Sequence, residues 1–175
     1  MDWILLVLKT LNVSGPSTFF TAVSLLDRYL DAKMKVAETV KIEKLFLIGL
    51  VAILIASKLE DVTAIPMGTL LERAGHGRFN SSDIRLMEME MLHILRFHLL
   101  APTTLYSLAS LQLMAASLTV SKDPPTEDYL IFMCTLATYS LAILAMDAEL
   151  LAAAIVQIAI RHEKRAATDE GWDKF

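Results

Sequence analysis

The sequence predicts an all-helical fold, and three observations support this. Apolar residues recur with a period close to that of a helix from end to end, without the sustained apolar and polar alternation of strands. Only six glycines and five prolines occur in 175 residues, which leaves little material for long loops. Short polar or Pro/Gly segments divide the apolar stretches into helical lengths.

The first part of the chain is predicted to contain three helices. Gly15 and Pro16 separate an N-terminal apolar helix from a second helix over residues 18–30. The third helix, residues 41–59, is apolar on nearly every side. In a water-soluble domain such a helix is surrounded by other helices, so we expect it at the centre of the bundle.

Two shorter helices complete the first hundred residues. Pro66 opens a fourth helix that ends at residues 75–77, which contain two glycines. Residues 80–83 (NSSD) supply capping groups for the free N–H groups of a fifth helix, which runs to about Arg96.

The second part of the chain continues the helical pattern. Residues 101–103 (APT) end the first unit and lead into a helix that reaches about Ser117. Two further helices are predicted near residues 127–139 and 147–161. The polar tail, residues 166–175, is expected to be loosely packed.

Composition restricts the classes of partner. The formal net charge is -4, and the lysines and arginines are scattered, so the chain lacks the positive field that drives nucleic-acid binding. Cys134 is the single cysteine, which excludes an internal disulfide and a zinc site built on cysteine pairs. A reducing compartment, nucleus or cytoplasm, is therefore expected.

A helical membrane protein is an alternative, because the mean hydropathy is +0.51. Residues 129–146 form a stretch of about eighteen residues without charge, close to a membrane-spanning length. The other apolar run, residues 45–57, is too short to cross a bilayer. The long run also contains hydroxyl side chains, so we expect no membrane association.

The fifth helix has an apolar side and a mixed side when wound at 100° per residue. The apolar side is the predicted core and consists of Ile84, Met87, Met91, Ile94 and Leu95. The opposite side carries charged residues around a single leucine: Arg85, Glu88, Leu92 and Arg96. A single exposed leucine is common and needs no function, whereas the alternative interpretation is a protein-docking surface.

No arrangement of residues indicates an enzyme, a metal site or a cofactor. The chain has no phosphate-binding glycine loop, no G-x-S-x-G and no H-E-x-x-H. His93 and His98 point to different helix faces, as do Glu88 and Glu90, so neither pair forms a site by local geometry. Cys134 lies in an apolar helix and is predicted to be core.

Three segments, in order, resemble the cyclin family. Residues 19–30 (FFTAVSLLDRYL) are similar to the end of its signature, and residues 54–61 (LIASKLED) to the end of its third helix. Its fifth helix and exit are matched by Met87, Glu88, Leu92, Leu95, Phe97 and residues 99–103 (LLAPT). The Ala-Pro-Thr exit is similar to that of the A/B-type, cell-cycle branch. The resemblance implies an all-α cyclin-box bundle, with a five-helix first box over residues 1–100 and an incomplete second box over residues 101–175.

The resemblance also implies a function. Cyclins bind and activate the catalytic subunit of a cyclin-dependent protein kinase, and the third and fifth helices of their first box grip the kinase's mobile αC helix. Lys58 and Glu88 match the family's charged pair that hydrogen-bonds the kinase. Further positions match its apolar kinase contacts: Ile55, Leu59, Leu92, Phe97 and Leu99.

A second implied surface would bind kinase substrates or inhibitors. In A/B-type cyclins this surface is a shallow apolar groove, and Trp3, Leu45 and Phe46 match positions in it. Phe46 stands where the family frequently has glutamine. The family segment that precedes the tryptophan is absent before Trp3, so weak or no capture of Arg-x-Leu peptides is expected.

The principal alternative keeps the fold and changes the function. Cyclin-box domains also occur in transcription and adaptor proteins that bind other partners. The acidic balance of this chain argues against the version that binds DNA complexes.

Overall fold

A computed structural model of the chain describes residues 2–13, 15–36, 40–99, 109–111, 113, 127–140, 143 and 146–169. The chain divides into two compact units, Met1–Ala101 and Pro102–Phe175. The helices of the first unit are α1 (Asp2–Thr10), α2 (Pro16–Lys35), α3 (Ile42–Glu60), α4 (Met67–Arg73) and α5 (Ser81–Ile94). In the described part of the second unit, the helices with defined bounds are α6 (Glu127–Ala137) and α7 (Ala148–Asp169), and the predicted helix that reaches about Ser117 lies mostly outside the described residues. The described residues contain helices and no strands, which confirms the all-helical prediction.

The observed helix starts have clear physical causes. Pro16 occupies the start of α2, where a missing N–H costs nothing. At α5 the Asn80 side chain accepts a hydrogen bond from the Asp83 N–H at 3.0 Å, and the Asp83 carboxylate accepts one from the Asn80 N–H at 2.9 Å. This reciprocal capping box satisfies two N–H groups and fixes where α5 begins.

Two helices end later than the sequence predicts. α2 continues beyond Leu30 to Lys35, and an ion pair between Asp31 and Lys35, one turn apart, stabilises the added turn at 2.6 Å. α7 extends to Asp169, so the first residues of the predicted loose tail are helical. Both added segments consist mostly of polar residues, so the periodicity of apolar residues could not indicate that the helices continue.

α3 is the central helix of the first unit. Every residue from 48 to 57 is buried, and α1, α2, α4 and α5 all pack against it. The one polar side chain in this run, Ser57, accepts a hydrogen bond from the Ile65 N–H at 2.8 Å. The prediction of a central third helix is therefore confirmed, and its C-terminal turn emerges from the core at Lys58.

Hydroxyl groups of α2 fix the end of α3. Thr18 Oγ1 donates to Asp61 Oδ1 at 2.6 Å, and Thr21 Oγ1 donates to Glu60 Oε1 at 2.7 Å. These bonds to carboxylates are stronger than those between neutral groups. They hold the residues that follow Lys58 against α2.

In the second unit α6 packs against α7. The buried side chains of α6 are Leu130, Cys134 and Ala137, and those of α7 include Leu151, Ala152, Ile155, Val156 and Ala159. α6 ends at Ala137 and residues 138–140 are not helical, so the uncharged stretch found in the sequence is not one helix. Among the residues that the structure describes, no helix combines the length and apolar character needed to span a bilayer.

Candidate functional site

The C-terminal turn of α3 and one side of α5 form a charged face in the first unit. Lys58 Nζ contacts Glu88 Oε1, which joins the two helices by an ion pair. The Lys58 side chain is 45% exposed and that of Glu88 is 15% exposed. The pair therefore lies at the surface, with the carboxylate set deeper than the ammonium. The sequence match named both residues, and the structure brings them together.

Apolar side chains border this pair. Leu59 follows Lys58 and is partly exposed, and Leu92, one turn after Glu88 on α5, is half-buried. Phe97 is 63% exposed and Leu99 is half-buried beyond the end of α5. We call these four residues with Lys58 and Glu88 the α3–α5 face. It combines one ion pair with apolar groups that keep some exposure to solvent.

Ile55 differs from the other matched positions. Its side chain is only 2% exposed and lies in the core of the first unit. It was assigned to the contact surface by family resemblance alone, and because α3 is apolar on every side, its sequence pattern does not distinguish inner from outer positions. Ile55 supports the face from below and presents no surface to a partner.

The orientation of α5 also corrects the sequence interpretation. Its buried side consists of Ile84, Met87, Met91 and Leu95, as predicted, whereas Ile94 is half-buried. Glu88 and Leu92 lie at the flank of this side rather than opposite it. The large apolar residues of α5 that point outward are Leu86 and Met89, 71% and 52% exposed. Winding the helix at 100° per residue could have identified both.

The turn after α5 has an unusual backbone. Arg96 and Phe97 are consecutive non-glycine residues with positive φ, 50° and 58°. Inside the turn the Phe97 N–H donates to the Leu92 carbonyl at 2.9 Å, and the His98 N–H donates to the Leu95 carbonyl at 2.9 Å. This geometry directs the exposed Phe97 ring towards His93, at 5.9 Å between centroids.

A second group of matched residues lies where α1 meets the start of α3. The Trp3 and Phe46 rings are 4.6 Å apart, and the Phe46 and Phe79 rings are 5.8 Å apart. The Arg78 guanidinium lies 5.6 Å from the centre of the Phe46 ring, within the range of a cation–π contact. Leu45 is exposed beside them. Phe46 therefore already has aromatic and cationic neighbours within the chain.

A polar network joins α2 to α5. The Lys33 ammonium lies 2.6 Å from Glu90 Oε1, and the Tyr29 hydroxyl donates to the same oxygen at 2.8 Å. The hydrogen bond from Lys33 holds the pKa of Glu90 below its ordinary value, against the opposing effect of partial burial. A cavity of about 240 Å³ adjoins this network, and its lining residues are Tyr29, Lys33, Val40, Lys41, Lys44, Ile48 and Glu90.

The remaining reactive groups have structural surroundings. Cys134 is fully buried in the second unit, and burial raises the pKa of its thiol to about 12. Such a thiol stays protonated at neutral pH and is a poor nucleophile. Among the described residues, no three His, Cys, Asp or Glu side chains converge to hold a metal ion.

Comparison with known proteins identifies a family that matches the chain. The family model described as "Cyclin, N-terminal domain" matches residues 1–100. The chain is 30% identical over 159 residues to G2/mitotic-specific cyclin-1 of Antirrhinum majus, covering 91% of this chain and 31% of that protein. It is 31% identical over 159 residues to cyclin-B2-1 of Arabidopsis thaliana, covering 91% of this chain and 34% of that one.

A shorter match points in the same direction. G2/mitotic-specific cyclin-2 of Medicago sativa is 35% identical over 103 residues, which cover 59% of this chain and 29% of that protein. The chain spans about a third of the length of these curated relatives. The family match covers more than half of the chain, and the all-helical first unit with its central α3 has the architecture that the resemblance predicted. The chain belongs to the cyclin family.

Proposed function

We propose that this chain is a regulatory subunit that binds and activates the catalytic subunit of a cyclin-dependent protein kinase in cell-cycle control. The observation that carries the proposal is the α3–α5 face, in which the Lys58–Glu88 pair lies among partly exposed apolar side chains. The names of the relatives, G2/mitotic-specific cyclins, support the assignment to cell division.

The chemistry of the face suits a protein partner. Surface hot spots combine apolar anchors with charged groups that become desolvated when the partner binds. Leu59, Leu92 and Phe97 offer such anchors, while the ammonium of Lys58 still has donor capacity after contacting Glu88. A helix of the kinase laid over this face would bury the apolar groups and accept hydrogen bonds from Lys58.

In this proposal the chain transfers no phosphate itself. It acts by holding the mobile αC helix of the kinase inward, so that the kinase glutamate can pair with the catalytic lysine. The buried, protonated Cys134 contributes to packing of the second unit. A single cysteine also suits the reducing environment of nucleus and cytoplasm, where we propose that the chain acts.

The test is a direct activity measurement. Purified cyclin-dependent kinase catalytic subunits are assayed for phosphate transfer from ATP to a peptide, with and without this chain at micromolar concentration. We expect no transfer by the chain alone and a large increase for at least one kinase when the chain is added. Failure of every kinase in the panel to bind or be activated would overturn the proposal while leaving the family assignment intact.

A further inference from the structure

Arg28 of α2 reaches the chain that follows α5. Its Nη1 donates to the Leu99 carbonyl at 3.3 Å, and its Nη2 donates to the His98 carbonyl. The side chain is half-buried between its own helix and this segment. One guanidinium therefore holds two successive carbonyls that are 70 and 71 residues away in sequence.

The segment that Arg28 holds is conformationally demanding. Arg96 and Phe97 both have positive φ, which non-glycine residues adopt uncommonly. Such backbone conformations persist where the surrounding structure determines them. Hydrogen bonds to the Leu92 and Leu95 carbonyls close the turn on the side of α5. Arg28 closes it on the side of α2.

The same segment carries two side chains of the α3–α5 face. Phe97 is mostly exposed, so its own packing does little to fix it, and Leu99 lies beyond the last residue of α5. We propose that Arg28 is a positioning residue, which fixes the 96–99 turn so that Phe97 and Leu99 are presented to the kinase. This inference rests on the proposed function for its consequence, although the positioning itself is a property of the free chain.

The geometry requires an arginine. A guanidinium offers several N–H donors in a planar fork and can satisfy two neighbouring acceptors, whereas an ammonium is a point donor. Tyr29 and Lys33 join α2 to Glu90 of α5 through contacts separate from those of Arg28. Loss of Arg28 should therefore release the turn and leave the bundle intact.

The first experiment measures amide hydrogen exchange in the free chain. Arg28→Ala should speed exchange at the Phe97 and His98 amides at least tenfold, because these N–H groups are bonded within the turn. Arg28→Lys should give an intermediate increase. Lys35→Ala is the matched control, since it removes a cation of α2 that pairs locally with Asp31. Exchange in the middle of α3 should be the same in all variants.

The second experiment measures kinase affinity of the same variants. Arg28→Ala should weaken binding about tenfold, Arg28→Lys should recover part of the loss, and Lys35→Ala should bind like the original chain. Unchanged exchange at Phe97 and His98 in Arg28→Ala overturns the inference, whatever the kinase does. Faster exchange with unchanged affinity overturns the link to partner binding.

The two proposals fail in different ways. If the original chain binds no kinase, the proposed function is wrong, and exchange alone decides whether Arg28 fixes the turn. If exchange increases throughout α3 and the melting temperature falls sharply in Arg28→Ala, the residue is a general structural contact and the inference is wrong.

Discussion

Lys58 and Glu88, on different helices, are paired with each other in the unbound chain. The pair is partly exposed, and such pairs contribute about 0–1 kcal/mol to the free energy of unfolding. Lys58→Ala and Glu88→Ala should therefore hardly change the melting temperature. In a kinase complex the pair would be desolvated, where breaking one partner costs about 2–5 kcal/mol. We expect at least tenfold weaker binding for each variant, by titration calorimetry.

Arg85→Ala is the control for this comparison, because Arg85 is an exposed cation on the same helix as Glu88. It should bind the kinase nearly as well as the original chain. Large melting losses for Lys58→Ala and Glu88→Ala with unchanged affinity would mean that the pair is structural.

Leu95 tests the buried side of α5. Its side chain is buried against the core, so Leu95→Ala should lower the free energy of unfolding by about 2–5 kcal/mol. Leu86→Ala removes the same atoms from an exposed position of the same helix and should change stability by less than about 0.5 kcal/mol. Urea denaturation of both variants gives the comparison. Equal losses would contradict the orientation of α5 described above.

A pair of glycines tests how closely α1 approaches α3. A Cβ atom on Gly49 would lie 2.6 Å from the Trp3 ring, so Gly49→Ala should destabilise the fold by about 1–3 kcal/mol. Gly68, on α4, has open space around it, and Gly68→Ala should be neutral or stabilising by up to about 1 kcal/mol. Thermal melting distinguishes them, and tolerance of Gly49→Ala would show that Trp3 does not pack as described.

The surroundings of Glu90 predict how the stability of the fold depends on pH. Its pKa is lower in the folded chain than the ordinary 4.5, mainly because Lys33 donates a hydrogen bond to it. The unfolded chain therefore binds this proton more readily, and the stabilisation is present above about pH 4.5 and lost as the pH falls below it. In Glu90→Gln the melting temperature should fall less steeply below this pH. Glu72→Gln, at an exposed carboxylate of α4, should keep the original profile.

Phe46 and Arg78 bear on capture of Arg-x-Leu peptides. The Phe46 ring already contacts Trp3 and Phe79, and the Arg78 cation over it would repel the arginine of such a peptide. We expect dissociation constants weaker than about 1 μM, or less than about 8 kcal/mol of binding free energy. Arg78→Ala should strengthen binding at low salt. Submicromolar binding by the original chain, measured by fluorescence anisotropy, would contradict the expectation.

The sequence predicted those features that depend on local pattern. The start of α5 was predictable because Asn80 and Asp83 have the spacing of a capping box. The central position of α3 was predictable because a helix that is apolar all round must be enclosed. Lys58 and Glu88 were identified by family resemblance, and only the structure shows that they contact each other.

Features that depend on distant contacts were not predictable. Arg28 is one cation among sixteen lysines and arginines in the sequence, and its acceptors are backbone carbonyls that leave no residue-specific signal. Ile55 was assigned to the kinase contacts by family resemblance, and no pattern in the uniformly apolar α3 indicates that its side chain is buried. The extension of α2 depends partly on Lys33, whose carboxylate partner lies on α5.

Because α3 is uniformly apolar, packing at another point of the helix must set the direction in which Lys58 of the α3–α5 face points. A helix that is hydrophobic on every side gains little from one rotation about its axis over another, so burial alone does not set its azimuth. The rotation is set where Gly49, which has no side chain, leaves space for the Trp3 ring. A different rotation of α3 would place a larger side chain against that ring. Lys58 lies nine residues further along, about 14 Å away at 1.5 Å per residue. Since each residue turns the helix by about 100°, a slip of one position at Gly49 would swing Lys58 a quarter-turn or more away from Glu88.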